Sequence, residues 1–290
     1  MNNAFLIILI STWRALVLLP RSLQLILSSS IGLLFYLIPM KRNKYSKINI
    51  NLCFPNKTSE ARKNIFKRNV ISSGQVFFDT GIAWFWSNKR IKKNISYEIN
   101  GLSKLLKDQA SDKGILLFFK HSLHLELDSR ILGMHAEIYG VEREHNSKYF
   151  QSIQRKGRLK SMLDVVDRKN TIRFIKWLKD GKTVLYAPDQ DYGMKKSNEI
   201  KFFNHPAATV SAPFKIIQKT NCKTYFLNSY FKKHKLFIDI EELTFNDTEE
   251  IGFSKNLNSY IEAKIKLNPH EYLWQHRRFK STLGKNKIYK

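Results

Sequence analysis

The feature that most constrains the fold is a short apolar run at residues 114–119, Gly-Ile-Leu-Leu-Phe-Phe. A strand with no polar residue on either face is typical of a sheet that is covered on both sides. Strands alternating with helices predict an α/β fold, with a mixed sheet flanked by helices. Further strands are predicted at residues 136–141, 183–186, 223–231 and 235–240, and helices at 148–158, 172–179, 212–219, 253–267 and 269–275.

The first forty residues differ from the rest of the chain. Residues 4–19 and 23–38 are apolar runs separated by Pro20 and Arg21, and a basic stretch follows at 41–44. Each run is slightly shorter than the ~20 residues of a membrane span, and no basic segment precedes them as in a signal peptide. We expect a tilted membrane helix and an interfacial helix in residues 1–40, with a catalytic domain at 41–290. A buried hairpin of a soluble fold is the alternative.

The charge is strongly positive, because 50 Lys and Arg face 24 Asp and Glu, which leaves +26. Such a chain favours an anionic partner: nucleic acid, an anionic membrane, an acidic protein or a phosphorylated substrate. Lys-rich usage from an AT-rich genome remains an alternative cause. A nucleic-acid partner is not favoured, since the sequence has no recognisable reading module. Cys53 and Cys222 form neither a zinc motif nor a disulfide framework, which indicates a reducing compartment.

His121 follows the apolar strand, and Glu126 comes five residues later. On one continuous helix five residues turn by ~500°, so the two side chains can meet only if a helix begins between them. A carboxylate bound to one imidazole nitrogen fixes the tautomer, and the other nitrogen can then remove a proton from a hydroxyl. The pattern therefore predicts a catalytic pair, although a lone histidine more often has a structural role.

The same stretch allows a metal site as an alternative. His124 and Asp128 are one helical turn apart, and His121, Glu126 and His135 are close in sequence. These side chains supply nitrogen and oxygen ligands. The spacing lacks the histidine pair of the zinc-protease motif, which makes the metal hypothesis the weaker of the two.

Other polar groups are candidates for binding. Asp189 and Asp191 follow a second apolar strand and could orient a group, bind a cation or cap a loop. Arg158 lies in a basic segment, and Arg277 and Arg278 lie in a cationic cluster near the C-terminus. These guanidinium groups could bind phosphate or carboxylate, or lie on solvated helix faces.

These residues fall in seven blocks that occur in a recognisable order. The blocks are NINLCFP at 49–55, GIAWFW at 81–86, HSLHLE at 121–126 with GMH at 133–135, GR at 157–158, DRK at 167–169, YAPDQDYG at 186–193 and YLWQHRRFK at 272–280. With them the chain resembles the late acyltransferases of lipid A biosynthesis in Gram-negative bacteria, over residues 49–280. Glu142 stands where a neutral residue is usual, and the Lys-rich segment after Lys195 is short, so the acceptor pocket is expected to differ.

The resemblance implies a glycerol-phosphate-acyltransferase-like fold and direct acyl transfer without a metal or cofactor. His121 and Glu126 would deprotonate a hydroxyl of a 3-hydroxyacyl chain on a Kdo-bearing lipid A precursor, which attacks the thioester of an acyl–acyl carrier protein. The other implied site residues are Asn49, which would shape the site, Arg158, which would hold anionic charge, Asp189 and Asp191, which would support the site or contact the acceptor, and Arg277 and Arg278, which would bind substrate.

The implied partners are the acyl carrier protein, the lipid A precursor and the anionic inner membrane, with the active site on its cytoplasmic side. Two alternatives stay open: an acyltransferase with another glycolipid or amino-lipid acceptor, and a non-catalytic protein that binds anionic membranes. No motif encodes the length of the acyl chain.

Overall fold

The computed structural model describes residues 3–245 and 247–290. The strands are β1 (Tyr97–Asn100), β2 (Ile115–Phe119), β3 (Tyr139–Glu142), β4 (Asp164–Asp167), β5 (Thr183–Tyr186), β6 (Ser197–Phe202), β7 (His205–Val210), β8 (Lys223–Lys232) and β9 (Lys235–Glu242). One mixed sheet has the order β1-β9-β8-β2-β5-β3-β4, while β6 and β7 form a separate antiparallel hairpin. In the sheet only β8 and β9 pair antiparallel, so the predicted mixed α/β sheet is confirmed.

Helices pack on both faces of the sheet. They are α1 (Asn3–Leu16), α2 (Arg21–Leu37), α3 (Lys41–Cys53), α4 (Ser59–Ser73), α5 (Gln75–Phe85), α6 (Asn88–Asn94), α7 (Leu102–Gln109), α8 (Leu125–Leu132), α9 (Lys148–Arg158), α10 (Thr171–Lys179), α11 (Ala212–Thr220), α12 (Glu250–Leu267) and α13 (Lys285–Ile288), with 3₁₀ turns at Met194–Lys196 and Pro269–Glu271. Alternate residues of β2 enter two cores: Leu116 and Phe118 pack towards α10, α11 and α12, and Ile115 and Leu117 towards α7 and α8. The apolar run is therefore covered on both faces, as predicted.

Thr58 caps α4, and its side chain accepts from the N–H of Ala61 at 3.1 Å. One local expectation was wrong. The helix expected at 269–275 is a single 3₁₀ turn followed by extended chain, in which Tyr272 forms an isolated bridge with Ser122. This segment extends beside the loop after β2 and forms part of the site.

The helix α2 has its polar side inward and its apolar side outward. Its buried residues are Gln24, Ser28 and Gly32, and a Cβ on Gly32 would overlap the backbone of Ile71 in α4. Its outward face carries exposed leucine and isoleucine side chains, namely Leu23, Ile26, Leu33, Leu34 and Leu37. In the part of the chain that the structure describes, no single helix is long and apolar enough to span a membrane, although α2 and α3 meet the length and composition test together across an 83° bend.

Candidate active site

Strand register brings His121 and Asp189 together. The parallel strands β2 and β5 place Phe118 opposite Tyr186, and His121 and Asp189 each lie three residues further along. The Nδ1 of His121 is 2.5 Å from Oδ1 of Asp189, and the backbone N–H of His121 donates to Oδ2 at 2.8 Å. Burial raises the pKa of Asp189, but the electrostatic attraction to the His121 ring and these hydrogen bonds outweigh it and hold that pKa well below its ordinary value. The carboxylate thus stays ionised and fixes the imidazole.

The hydrogen bond expected between His121 and Glu126 is not formed. As predicted, His121 precedes α8 and Glu126 lies in its first turn. Glu126, however, accepts from the indole N–H of Trp84 at 2.7 Å and from the guanidinium of Arg158. Its side chain points towards α5 and α9, which supply these donors, whereas Asp189 reaches His121 from the neighbouring strand. The carboxylate that orients His121 is therefore Asp189.

Arg158 lies between two carboxylates. It donates through Nε and NH2 to Glu126 and through NH1 to Glu142, the latter at 2.6 Å. Burial raises the pKa of Glu126, but the charge of Arg158 and its hydrogen bonds lower it below the usual value. The neighbouring Gly157 permits this packing, because a Cβ there would overlap the Trp84 ring. A guanidinium has five N–H groups, and these three contacts leave two for another acceptor.

His121, Glu126 and Arg158 line one cavity of about 910 Å³. Part of its wall is apolar and comes from Phe119, Leu125, Gly140, Met162, Val165 and Leu185. The rest of the wall is strongly basic, and it contains Arg42, Arg143, Arg168, Lys169, Lys195, Lys196, Arg277 and Lys280. The site therefore has an apolar region and a cationic region beside the same imidazole, an arrangement that suits an amphipathic anionic substrate.

Besides Arg158, two of the predicted binding residues line the cavity. Arg277 does so with its guanidinium 5.6 Å from the centre of the Tyr45 ring. Asp191 is also in the wall, but its carboxylate accepts from the N–H of Gly193 and from the N–H and hydroxyl of Ser281. Asp191 therefore holds the loop after β5 against the C-terminal segment.

Two other predicted site residues, Asn49 and Arg278, are buried behind the wall and do not line the cavity. Asn49 is fully buried and donates from Nδ2 to the carbonyls of Trp274 and His276 at 2.8 and 2.7 Å. Arg278 is also fully buried, donates to the carbonyl of Ala208 at 2.8 Å and lies over the Phe202 ring. Both side chains hold the segment around residue 276 in place.

His276 is a site residue that the sequence patterns did not single out as a titrating group. Its Nδ1 lies 2.6 Å from the carbonyl of Leu273, which can only accept, so Nδ1 carries the proton. Burial lowers the pKa of His276 to about 4, although Asp189 opposes this. A neutral imidazole therefore lines the cavity beside His121. The sequence pattern indicates only a basic cluster around His276, because the fold decides which of these side chains point into the protein.

The residues of the metal hypothesis separate into different clusters. The Nδ1 of His124 is 2.7 Å from Asp128, whereas the Nε2 of His135 lies 3.0 Å from the Tyr97 hydroxyl. Over residues 3–245 and 247–290, no three His, Cys, Asp or Glu side chains come together as a metal-binding group.

His124 is buried, and burial alone would lower its pKa, but Asp128 and Glu271 raise it to about 10.

The chain is similar to known lipid A biosynthesis acyltransferases. The model of a family described as bacterial lipid A biosynthesis acyltransferase matches residues 2–281. A lipid A biosynthesis palmitoleoyltransferase of Escherichia coli (strain K12) is 30% identical over 277 residues, covering 93% of this chain and 90% of that protein. A lipid A biosynthesis lauroyltransferase of the same organism is 32% identical over 262 residues, covering 88% and 84%.

Among solved structures, the 1-acyl-sn-glycerophosphate (LPA) acyltransferase from Thermotoga maritima is 16% identical. The match covers 83% of this chain and 95% of that one, with a TM-score of 0.37.

Proposed function

Because the chain belongs to the bacterial lipid A biosynthesis acyltransferase family, we propose that it moves a fatty acyl chain from acyl carrier protein to a Kdo-bearing lipid A precursor. The acceptor is a hydroxyl of a 3-hydroxyacyl chain on that precursor, and the product is a secondary ester. One observation carries the proposal: an imidazole oriented by a buried carboxylate lies beside an apolar and a cationic surface of the same cavity.

The proposed base is Nε2 of His121. Because Asp189 accepts the Nδ1 proton, Nε2 presents its lone pair to the cavity. It removes the proton of the acceptor hydroxyl while that oxygen attacks the thioester carbonyl. When the tetrahedral intermediate collapses, the carbon–sulfur bond breaks, and the imidazolium returns the proton to the thiolate. Acid–base help of this kind contributes about 10²–10⁴-fold to a rate.

The proposed group for the developing oxyanion is Arg158. Glu126 and Glu142 fix its guanidinium and leave two N–H groups for the carbonyl oxygen. In this proposal Glu126 acts by holding Arg158 and by lining the cavity near the reacting atoms. Its lowered pKa keeps it a carboxylate, as an ion-pair partner must be.

The cationic wall supports a polyanionic acceptor. The carboxylates that line the cavity with these eight lysine and arginine side chains are Glu126, Glu142 and Asp191, and each already has a partner. Phosphate and sugar carboxylates on a lipid A precursor would meet this surface, and the acidic carrier protein would approach the same face.

The outward face of α2 supports attachment to a membrane, on the cytoplasmic side of the inner membrane in this proposal. A helix with buried polar residues and exposed Leu and Ile side chains has the pattern of one that faces lipid. The active site then lies close to a lipid acceptor and within reach of a soluble carrier protein.

An acceptor panel tests the proposal. Purified full-length protein is incubated with acyl–acyl carrier protein and, separately, Kdo-bearing lipid A precursor, the precursor without Kdo, another glycolipid and an amino lipid, and ester products are measured by mass spectrometry. We expect ester formation on the Kdo-bearing precursor above all others. A stronger product on another acceptor would favour the alternative acyltransferase, and binding to every lipid without any ester would indicate a non-catalytic membrane protein.

A further inference from the structure

The apolar part of the cavity includes a groove across the sheet. Strand register places Leu185 of β5 opposite Gly140 of β3, and Gly140 opposite Val165 of β4. These three residues therefore form one row across three neighbouring strands, and all of them line the cavity. Gly140 has no side chain, and the thioether of Met162 occupies the space that a Cβ would fill between Leu185 and Val165.

The groove extends by one row of residues along the strands, away from the reactive groups. Glu142, which binds Arg158, also lines the cavity and lies two residues beyond Gly140 on the same face of β3, ~6.6 Å along the strand. Two residues in the other direction, Ile138 is fully buried and is not part of the wall. The groove therefore closes between Gly140 and Ile138.

Met162 covers Gly140. A Cβ on Gly140 would lie 2.6 Å from Sδ of Met162, which is closer than side chains approach one another. The thioether is buried and forms part of the cavity wall. A methionine side chain is unbranched and adapts to irregular spaces. The end wall of the groove is thus a movable side chain over a glycine.

The geometry points to Gly140 and Met162 as the residues that set the length of the transferred acyl chain. This inference rests on the proposed function, in which the acyl carbonyl lies at His121 and the methyl end reaches Met162. Sequence identity to the relatives does not indicate the length of the acyl chain, because a palmitoleoyltransferase and a lauroyltransferase are 30% and 32% identical to this chain. One methylene group that no longer fits an apolar pocket changes kcat/KM by ~10–200-fold.

Substitutions at the two positions should move the preferred length in opposite directions. Met162→Ala removes the end wall, so longer chains are accepted. Gly140→Ala forces the thioether into the groove, so the longest chain that the wild type accepts loses about 10-fold or more in kcat/KM. Met162→Phe fills the groove from the other side and gives the same shortening if Gly140→Ala does not fold.

Each variant is given a pool of acyl–acyl carrier proteins of graded chain length with the lipid A precursor, and product masses are compared. Met134→Ala and Gly252→Ala are matched controls: Met134 packs against the same core outside the cavity wall, and a Cβ on Gly252 meets only the side chain of Asp247. Opposite shifts with unshifted controls support the inference. An unchanged product distribution, or shifts in one direction only, overturns it. A wild type that transfers no chain of any length contradicts the proposed function itself.

Discussion

Asp189 holds His121 through both of its carboxylate oxygens, with Oδ1 2.5 Å from the ring Nδ1 and Oδ2 accepting from the backbone N–H at 2.8 Å. The two contacts fix the tautomer and the position of the ring together. The orientation of the His121 ring is therefore set by a residue that follows the neighbouring strand β5, while Glu126 accepts hydrogen bonds from Arg158.

Asp189→Asn should lower kcat by about 10²–10⁴-fold. An amide N–H turned towards Nδ1 removes the acceptor for the Nδ1 proton, and the proton then moves to Nε2, where the base is needed. Steady-state transfer by the variant measures this, with exposed Asp180→Asn as the matched control. A wild-type kcat in Asp189→Asn would show that the carboxylate does not orient the base.

Removal of Arg158 should destabilise the fold. Arg158→Ala leaves the buried Glu142 and the partly buried Glu126 without their cation, and loss of one partner of a buried pair such as Arg158–Glu142 costs about 3–5 kcal/mol. Urea unfolding measures this difference. Arg173→Ala breaks an exposed pair with Asp164 and should cost no more than about 1 kcal/mol. Adding Glu142→Gln to Arg158→Ala should recover part of the loss, and equal effects of the two arginine substitutions would contradict the account.

Acid sensitivity should depend on His276. Its pKa is about 4 in the folded protein, because burial disfavours the charged ring, and ~6.5 in the unfolded chain. Between these values the unfolded chain binds more protons, so the free energy of unfolding falls as pH decreases from ~6.5 to about 4. Urea unfolding across this window should show a smaller slope in His276→Gln. The same slope in both proteins would contradict a neutral buried His276.

Alkaline sensitivity should depend on His124, with the opposite sign. Burial opposes its charge, but Asp128 and Glu271 raise its folded pKa to about 10, above the ~6.5 of the unfolded chain. The contribution of the charged His124 to the free energy of unfolding is complete below pH ~6.5 and is lost as pH rises towards about 10. His124→Gln should be less stable at neutral pH and should lose less stability on the alkaline side. A variant that follows the wild-type curve would exclude this role.

Replacement of exposed apolar residues on α2 should weaken membrane binding. Ile26, Leu34 and Leu37 are 63%, 53% and 69% exposed, so Asn at all three positions removes lipid contact with little loss of core packing. Vesicles with anionic phospholipid, separated by flotation, measure the bound fraction. Asn at Ile172 and Leu267, which are 83% and 67% exposed elsewhere, is the matched control. Equal loss in both variants would show that the α2 face has no special role.

The apolar strands could be predicted from sequence, but their order in the sheet could not. The expected bounds of β5 agree with the structure, and the sequence placed His121 and Asp189 after apolar strands. Sequence does not show that β2 and β5 are neighbours, so its pattern favours Glu126, which is closer along the chain, as the partner of His121. Which strands pair is decided by the packing of the whole domain.

The prediction for the C-terminal segment was wrong for a similar reason. Its local pattern predicts a helix at 269–275, but side-chain amides of Asn49 and Asn69 bind the carbonyls of Tyr272 and Trp274 and hold the chain extended. These partners are more than two hundred residues away, so no local signal reports them. The same contacts set the position of His276, which sequence alone did not identify.

Acyl transfer by His121→Ala tests the central claim most directly. The variant, the wild type and His234→Ala, which changes an exposed histidine outside this cavity, are compared with acyl–acyl carrier protein and lipid A precursor. The account predicts that His121→Ala keeps the wild-type unfolding curve and forms almost no ester, while His234→Ala keeps wild-type transfer. Ester formation by folded His121→Ala at the wild-type rate would contradict the assignment of His121 as the base.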